Sequence, residues 1–242
     1  MTEHEGSTAG THSSDVKTRL VAATIDLLAE VGPSEIKVRR ITEAAGVSTI
    51  AVYHHFGGLT ELLDAVVADG YRTLTSAMRD AADAREDPGA QLFGMALSNH
   101  HLVQRNPHLY DLMFGLSTRG TYRYVANREA DEPTGFSAAY DVLVGSSRRL
   151  VDSGRIDVTD EHQVAAELWS FVHGFVTLEA AGHFTRFVNP VADVLAPMAV
   201  RHFVGMGDNR TRAEASAVTA LQWWNTEGPG GRGSGYSTVA GT

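Results

Sequence analysis

Apolar residues recur at helical spacing along the first part of the chain. The pattern opens at Asp15 and stops at Gly32-Pro33, and such residues are typical of helix ends. Its members follow at intervals of three and four residues and are Val16, Leu20, Ala23, Leu27 and Val31. This spacing places them on one helical face, so we predict a first helix over 15–31.

Two shorter patterns follow, separated by only three residues. A stripe beginning at Val38 closes at Gly46, which supplies the left-handed residue that ends many helices. Ser48 is a favourable N-cap for a third helix over 49–56, and Gly57-Gly58 ends that helix. Two helices joined by a glycine-containing turn of three residues predict a helix-turn-helix.

The rest of the chain carries helical patterns and no strand signal. A connector over 59–84 precedes helices over 88–104, 107–115, 135–153, 160–184 and 190–204, and Pro197 is expected to kink the last one. We predict an all-α fold, with a three-helix helix-turn-helix head and a C-terminal helical domain for ligand binding and dimerisation. The expected divisions are a disordered arm over 1–14, a head over 15–58, a body over 59–225 and a disordered tail over 226–242. Residues 117–133 form the longest unpatterned interior stretch and are expected to be a mobile loop.

Composition narrows the class of protein. The chain has 242 residues, 43% of them hydrophobic and 20% charged, as in globular proteins. No apolar stretch is long enough for a membrane helix, and the first residues lack the basic flank and apolar core of a signal peptide. The absence of cysteine excludes disulfides and thiolate chemistry. We therefore expect a cytoplasmic protein.

Net charge bears on the kind of partner. The formal charge of −9 repels nucleic acid overall. Between residues 16 and 56, however, the chain has five basic and four acidic side chains, so the excess of acidic residues lies outside this segment. Charge therefore does not exclude a DNA-binding head.

The third predicted helix has a candidate DNA face. Val52 and Phe56 point inward, which leaves Thr49, Ile50, Tyr53 and His54 together on the opposite side. The free N–H groups at the helix start, near Ser48, and the Tyr53 hydroxyl suit phosphates. Base reading would fall to Thr49, His54 and the Ile50 methyl groups.

This segment resembles the head of the TetR family of transcriptional regulators. The likeness runs from Leu20 to Val67 and rests on Gly46, Val52, the Tyr-His-His-Phe over 53–56 and the Glu-Leu-Leu over 61–63. It implies that DNA is met by Lys37, Arg39, Ser48, Thr49, Tyr53 and His54. Two positions depart from the family pattern. Lys37 occupies the position where the family usually has threonine, and Leu59 occupies the position of the usual phosphate-binding lysine.

A second resemblance lies in the predicted body. Trp169-Ser-Phe-Val-His173-Gly174 is similar to a Trp-x-x-x-His-Gly signature found in one class of TetR C-terminal domain, and the segment 106–115 also resembles that class. The likeness implies that the last two long helices pair with a second copy as a four-helix bundle. Gly174 and Gly182 would permit close helix contact there.

We expect a sensor pocket between the connector and the central helices, for a small, largely apolar effector. The same aromatic residues at helical spacing also suit a plain hydrophobic core, and His173 suits a satisfied core histidine. The candidate lining residues are Phe93, Leu97, His101, Tyr110, Met113, Phe114, Tyr140, Trp169 and His173.

Catalytic and metal functions find little support. No HExxH, P-loop, G-x-S-x-G or dinucleotide motif is present. His100 and His101 are adjacent, so on a helix they point about 100° apart, and with His108 they predict no metal site. We expect neither an enzyme nor a cofactor.

The sequence thus favours a homodimeric, ligand-responsive regulator that binds a palindromic double-stranded DNA operator. Resemblance to the family implies repression that a small molecule relieves. The alternative is a ligand-binding or protein-interaction dimer that no longer binds DNA, which the charge of −9 and Leu59 favour.

Overall fold

A computed structural model describes residues 7–115 and 135–229, and within these ranges every regular element is helical. The expected loop over 117–133 and the ends of the chain, 1–6 and 230–242, lie outside the described residues. The helices are α1 Ser7–Val31, α2 Val38–Ala45, α3 Thr49–Phe56, α4 Leu59–Asp83, α5 Pro88–Arg105, α6 Pro107–Phe114, α7 Phe136–Asp152, α8 Glu161–Ala180, α9 Ala196–Gly205 and α10 Arg210–Thr226.

The all-α prediction is confirmed, but two helix boundaries differ from it by several residues and one helix was not predicted. Helix α1 begins at Ser7, within the stretch expected to be a disordered arm, and α8 ends at Ala180 rather than at residue 184. Helix α10 was not predicted at all. Many of its side chains are small or polar, so apolar and polar positions do not alternate clearly along it. Its start does carry a local signal, because Asn209 caps the helix by accepting a hydrogen bond from the Arg212 N–H.

The segment around Pro197 is irregular. A π-helical turn, Val191–Leu195, leads directly into α9, and Pro197 is among the first residues of that helix. Proline has no N–H to donate and crowds the carbonyl four residues earlier. A wider turn before it relieves that crowding, and this accounts for the break in the helix predicted over 190–204.

The chain divides into two compact units, and the boundary falls inside α4. Among the described residues, one unit holds 7–72 and 105–115, and the other holds 73–104 and 135–229. Helix α6 therefore groups with the head rather than with the body. The Asn106 side chain donates to the Ile25 carbonyl of α1 at 3.0 Å and accepts from the Leu109 N–H, which joins α6 to α1.

The core of the first unit lies on a slightly different face of α1 than the apolar pattern predicts. Leu20, Thr24 and Leu28 are fully buried, whereas Leu27 is only half-buried. Thr24 tolerates burial because its hydroxyl donates to the Leu20 carbonyl at 2.7 Å. A polar residue in the middle of the stripe hid the true face from the sequence pattern.

Helix α5 is the centre of the second unit. It is buried on every side from Gly89 to His100, so the other helices of this unit enclose it. Asp87 fixes its start by accepting hydrogen bonds from the Gly89 and Ala90 N–H groups. A helix buried all round cannot be displaced without disturbing its neighbours.

Arg155 ties the start of α5 to other parts of this unit. Its guanidinium donates hydrogen bonds to the carboxylates of Asp87 and Asp208 and to the Ser216 hydroxyl. The distance from Arg155 Nε to Asp208 Oδ1 is 3.3 Å, and the distance from the guanidinium to Ser216 Oγ is 3.1 Å. The side chains of Arg155 and Asp208 are 5% and 0% exposed, so this ion pair is buried. Removal of one partner would leave the other charge without compensation.

We predict that Arg155→Ala lowers the free energy of unfolding by about 3–5 kcal/mol, because Asp208 becomes an unpaired buried carboxylate. Urea unfolding followed by tryptophan fluorescence measures the loss. Arg148→Ala is the control, since Arg148 pairs with Glu161 near the surface and should contribute at most about 1 kcal/mol. Equal losses in the two variants would contradict the buried-pair account.

Candidate nucleic-acid interface and ligand cavity

The turn between α2 and α3 has the conformation that the sequence predicts. Gly46 has φ 64° and ψ 39°, in the left-handed region that glycine adopts without strain. The Val47 N–H donates to the Thr42 carbonyl at 3.0 Å, which closes the end of α2. Ser48 is extended at the N-cap of α3, but its hydroxyl makes no capping hydrogen bond. The first N–H groups of α3 are therefore not satisfied by that side chain.

Helix α3 buries one side and presents the other to solvent. Val52 is 0% exposed, whereas Ile50 and Tyr53 are 74% and 60% exposed, which is unusual for large apolar side chains. Thr49 and His54 are exposed beside them. We call Thr49, Ile50, Tyr53 and His54 the α3 face; it combines hydroxyl, imidazole and methyl groups on a narrow helical surface.

The predicted cations, Lys37 at the N-cap of α2 and Arg39 within α2, are paired with acids. Lys37 and Arg39 are exposed; Arg39 Nε lies 2.9 Å from Glu43 Oε1, and Lys37 Nζ lies 4.0 Å from Glu35 Oε2. Exposed ion pairs of this kind contribute at most about 1 kcal/mol. Both cations can therefore exchange their carboxylate for a phosphate at little cost. Leu59, at the first position of α4, carries no charge to add to them.

Arg19 is a positioning residue that the sequence reasoning missed. From α1 it donates to the carbonyls of Ala45 and Gly46, at the end of α2. A cation at a helix C-terminus satisfies free carbonyls and opposes the negative end of the helix dipole. Arg19 thus holds the turn that orients α3. No local motif marks it, because the contact joins positions 26 and 27 residues apart.

The second unit contains a small apolar cavity of about 30 Å³ beside α5. This volume holds one or two water molecules and lies well below the range of small-molecule sites, about 300–1,000 Å³, so a bound effector would have to displace lining side chains. The lining residues are Met78, Leu92, Phe93, Met95, Ala96, Asn99, Leu143, Leu168, Trp169, Phe171, Val172, Ala199 and Phe203. None of them is charged, and Asn99 is the one with a polar amide.

Asn99 stands out within this lining. It is 3% exposed, and its Oδ1 atom has no hydrogen-bond partner. A buried acceptor without a donor costs about 1–3 kcal/mol. Asn99 was not predicted from the sequence, since an asparagine within a helical pattern does not indicate whether its side chain is buried.

The structure brings only some of the predicted pocket residues together. Phe93 and Trp169 line the cavity, and Tyr140 and His173 pack against the Trp169 ring. Leu97 lines a smaller neighbouring cavity with Phe93. Burial lowers the pKa of His173, so its imidazole is neutral at pH 7.

The remaining predicted pocket residues lie elsewhere. His101 packs edge-on against Trp224, away from the residues that line the cavity. Tyr110, Met113 and Phe114 belong to the first unit, where Tyr71 donates to the Met113 carbonyl at 2.9 Å and contacts the Phe114 ring. In the chain these three follow the predicted central helices closely, but α6 folds back onto α1.

The histidines do not converge. His100 Nε2 lies 2.7 Å from Glu179 Oε2, His101 packs against Trp224, and His108 lies against Gly32. Among residues 7–115 and 135–229, no group of side chains is arranged to hold a metal ion. In the same ranges, no helix has the length and hydropathy needed to cross a membrane.

These features define a class: a helix-turn-helix module whose second helix has an exposed face, in one chain with a helical unit that holds a small apolar cavity. Two family models match the chain, one for bacterial regulatory proteins of the tetR family over residues 20–66 and one for the tetracyclin repressor-like C-terminal domain over residues 92–203. The chain belongs to the TetR family of transcriptional regulators. Proteins of this family are DNA-binding regulators and not enzymes.

One curated protein and several solved structures are similar to this chain. The HTH-type transcriptional regulator BetI of Stenotrophomonas maltophilia is 36% identical over 89 residues, which span 36% of this chain and 45% of BetI, so less than half of that relative is matched. A protein of unknown function from Rhodococcus sp. RHA1 is 24% identical and has a TM-score of 0.64, covering 85% of this chain and 98% of that one. RolR in complex with resorcinol is 16% identical, with a TM-score of 0.54 and coverage of 86% and 95%. The Rhodococcus protein and RolR both share the fold of this chain.

We predict that Arg19→Met loosens the turn before α3, because the carbonyls of Ala45 and Gly46 lose their charged donor. The Val47 amide should exchange with solvent roughly fivefold faster, since a partly exposed charged hydrogen bond stabilises by about 1 kcal/mol. Hydrogen exchange measured by NMR tests this. Lys17→Met, at an exposed position of the same helix, is the control and should leave that amide unchanged. Unchanged exchange in Arg19→Met would remove the proposed role.

Proposed function

We propose that this chain is a ligand-responsive, DNA-binding transcriptional regulator, a homodimer that represses from a palindromic operator and is released by a small, largely apolar effector. The α3 face is the observation that carries the proposal. It leaves Ile50 and Tyr53 accessible, and its mixture of hydroxyl, imidazole and methyl groups suits the edges of bases and phosphates.

The DNA contacts divide into two kinds. Lys37, Arg39, the Tyr53 hydroxyl and the N–H groups after Ser48 position the head on the phosphates, without reading sequence. Thr49, His54 and the Ile50 methyl groups read base edges in the major groove. Phosphate contacts release counterions, so binding should weaken steeply as salt rises.

A two-fold dimer places two α3 helices in successive major grooves, about 34–36 Å apart. The operator should therefore be a palindrome with half-sites one helical turn apart. Such a regulator works in the cytoplasm, where the DNA lies.

The effector acts through α4. Met78, on α4, lines the cavity, and the same helix begins at Leu59, joined to α3 by Gly57-Gly58 alone. A ligand that displaces Met78 thus shifts the helix that directly follows α3. If the effector binds best to a dimer whose α3 spacing does not fit DNA, affinity for the operator falls by that preference.

The alternative is a ligand-binding or protein-interaction dimer without DNA binding, which the charge of −9 and the uncharged Leu59 favour. Gel-shift titration against the DNA that flanks the coding region, at two salt concentrations, separates the two functions. Tight, salt-sensitive and sequence-selective binding supports the regulator. Absence of selective binding supports the alternative.

We predict that Tyr53→Ala combined with His54→Ala abolishes selective retention of the operator in that assay. Both side chains are exposed, so helicity and dimerisation should not change. Circular dichroism and sedimentation check these two properties. Asp141→Ala, an exposed residue of α7, is the control and should bind as the unmodified protein does. Retention by the double variant would refute the assignment of the α3 face.

The outer surface of α8 suits the dimer contact. Small residues recur there at intervals of four, at Ala166, Ser170 and Gly174, and all are exposed. Leu178 continues this row and is 46% exposed. A row of small residues followed by an exposed leucine lets a second helix approach closely. The resemblance implies that the last two long helices form the bundle, and α10 is the last long helix of the described chain. We therefore propose α10, rather than the segment over 190–204, as the second helix of each half.

We predict that Gly174→Arg converts the dimer to a monomer. A Cβ at Gly174 meets no atom within 4 Å of its own chain, so the monomer tolerates the change, whereas a closely packed partner helix does not. Gly145→Arg is the matched control, since Gly145 also has open space and lies between the exposed charges Asp141 and Arg148. Sedimentation should give a monomer for the first variant and a dimer for the second. Two dimers would contradict this interface.

A further inference from the structure

Two cations of the first unit converge on one acidic side chain. Arg40 Nη1 lies 3.0 Å from Glu35 Oε2, and Lys37 Nζ lies 4.0 Å from the same oxygen. Glu35 ends a short 3-10 turn, Pro33–Glu35, whereas both cations belong to the start of α2. The Glu35 carboxylate therefore occupies a position at which one anion meets two positive charges.

We propose that Lys37 and Arg40 form a subsite for a DNA phosphate, that Glu35 occupies this subsite in the free protein, and that DNA displaces it. Arg40 is then a contact to the DNA backbone beyond those that the sequence predicts. The inference rests on the proposed function, because it takes the phosphate to be that of duplex DNA. The Glu35 carboxylate stands in for this phosphate, since both anions accept charge-assisted hydrogen bonds from ammonium and guanidinium groups.

The exchange of Glu35 for a phosphate costs little. The side chains of Arg40 and Glu35 are 42% and 48% exposed, so water screens their attraction, and opening this pair lowers DNA affinity by no more than roughly fivefold. A guanidinium can bind a phosphate through two parallel hydrogen bonds, whereas Arg40 reaches Glu35 through Nη1. Release of counterions from the DNA adds to the gain.

The start of α2 favours an anion at the same place. Lys37 is the N-cap of this helix, and its side chain makes no capping hydrogen bond, so the first N–H groups of α2 are not satisfied by it. These groups carry the positive partial charge of a helix N-terminus. Arg40 also adds a cation to a head whose Leu59 supplies none. The subsite thus combines two charged side chains with the end of a helix.

The two halves of the Arg40–Glu35 pair should have opposite effects on DNA affinity. If the pair only stabilised the head, loss of either partner would weaken DNA binding. If a phosphate replaces Glu35, loss of Arg40 weakens binding, whereas loss of the Glu35 charge removes a competitor and strengthens it. Both effects should be the same for every DNA sequence, because phosphate contacts do not read bases.

Fluorescence anisotropy on the full chain tests this with the DNA that flanks the coding region and with a duplex of unrelated sequence, at several salt concentrations. Arg40→Met should weaken binding to both duplexes roughly tenfold, because a charge-assisted hydrogen bond is lost. The slope of log affinity against log salt should fall by about 0.9 for each protomer bound. Glu35→Gln keeps the shape of the side chain and should strengthen binding to both duplexes by up to roughly fivefold.

Arg148→Met and Glu161→Gln are the matched controls. They change the total charge in the same way and separate an ion pair near the surface of the second unit, so neither should alter DNA affinity. Circular dichroism should show the same helix content in all four variants.

Unchanged affinity in Arg40→Met, or unchanged or weaker binding by Glu35→Gln, would overturn the proposal. Opposite shifts in the two variants without any preference for the flanking DNA would leave the subsite intact and refute the regulator. Preference for the flanking DNA with unchanged affinity in both variants would do the reverse. Absence of binding to either duplex would overturn both.

Discussion

The burial of Val52 is the constraint on which the DNA-binding unit depends. Helix α3 is only eight residues long and too short to be stable alone, so it persists because it packs on α1 and α2. Once Val52 is fully buried, the spacing of the helix forces Ile50 and Tyr53 outward. The turn at Gly46 and the hydrogen bonds from Arg19 hold this arrangement. Recognition chemistry is thus a consequence of core packing.

A related constraint shapes the second unit. Helix α5 is buried all round, and the helices that enclose it leave an apolar space beside it. Most buried polar groups form hydrogen bonds, and those of the Arg155 network do. Asn99 Oδ1, in contrast, has no hydrogen-bond partner. The contrast within one unit separates a polar cluster that maintains the fold from a buried acceptor for which the described residues supply no donor.

Much of the head was predictable from the sequence, and much of the cavity was not. The bounds of α3 and the left-handed Gly46 follow from local spacing and turn chemistry, and both predictions are confirmed. The buried face of α1 was misjudged because Thr24 interrupts its apolar pattern, and α10 was missed for lack of periodic contrast. Tyr110 was expected at a pocket, yet it is a core residue of the first unit.

By itself, the sequence determined the helical class and the bounds of α3, because these depend on residues within about one helical turn of each other, and it indicated the family through a continuous segment of the chain. Tertiary structure decided the rest. It brought Asn106 to α1, Arg19 to the end of α2, and Asn99 into an apolar cavity. These outcomes depend on which distant helices pack together, and burial is a property of that packing rather than of any residue or its neighbours in the chain.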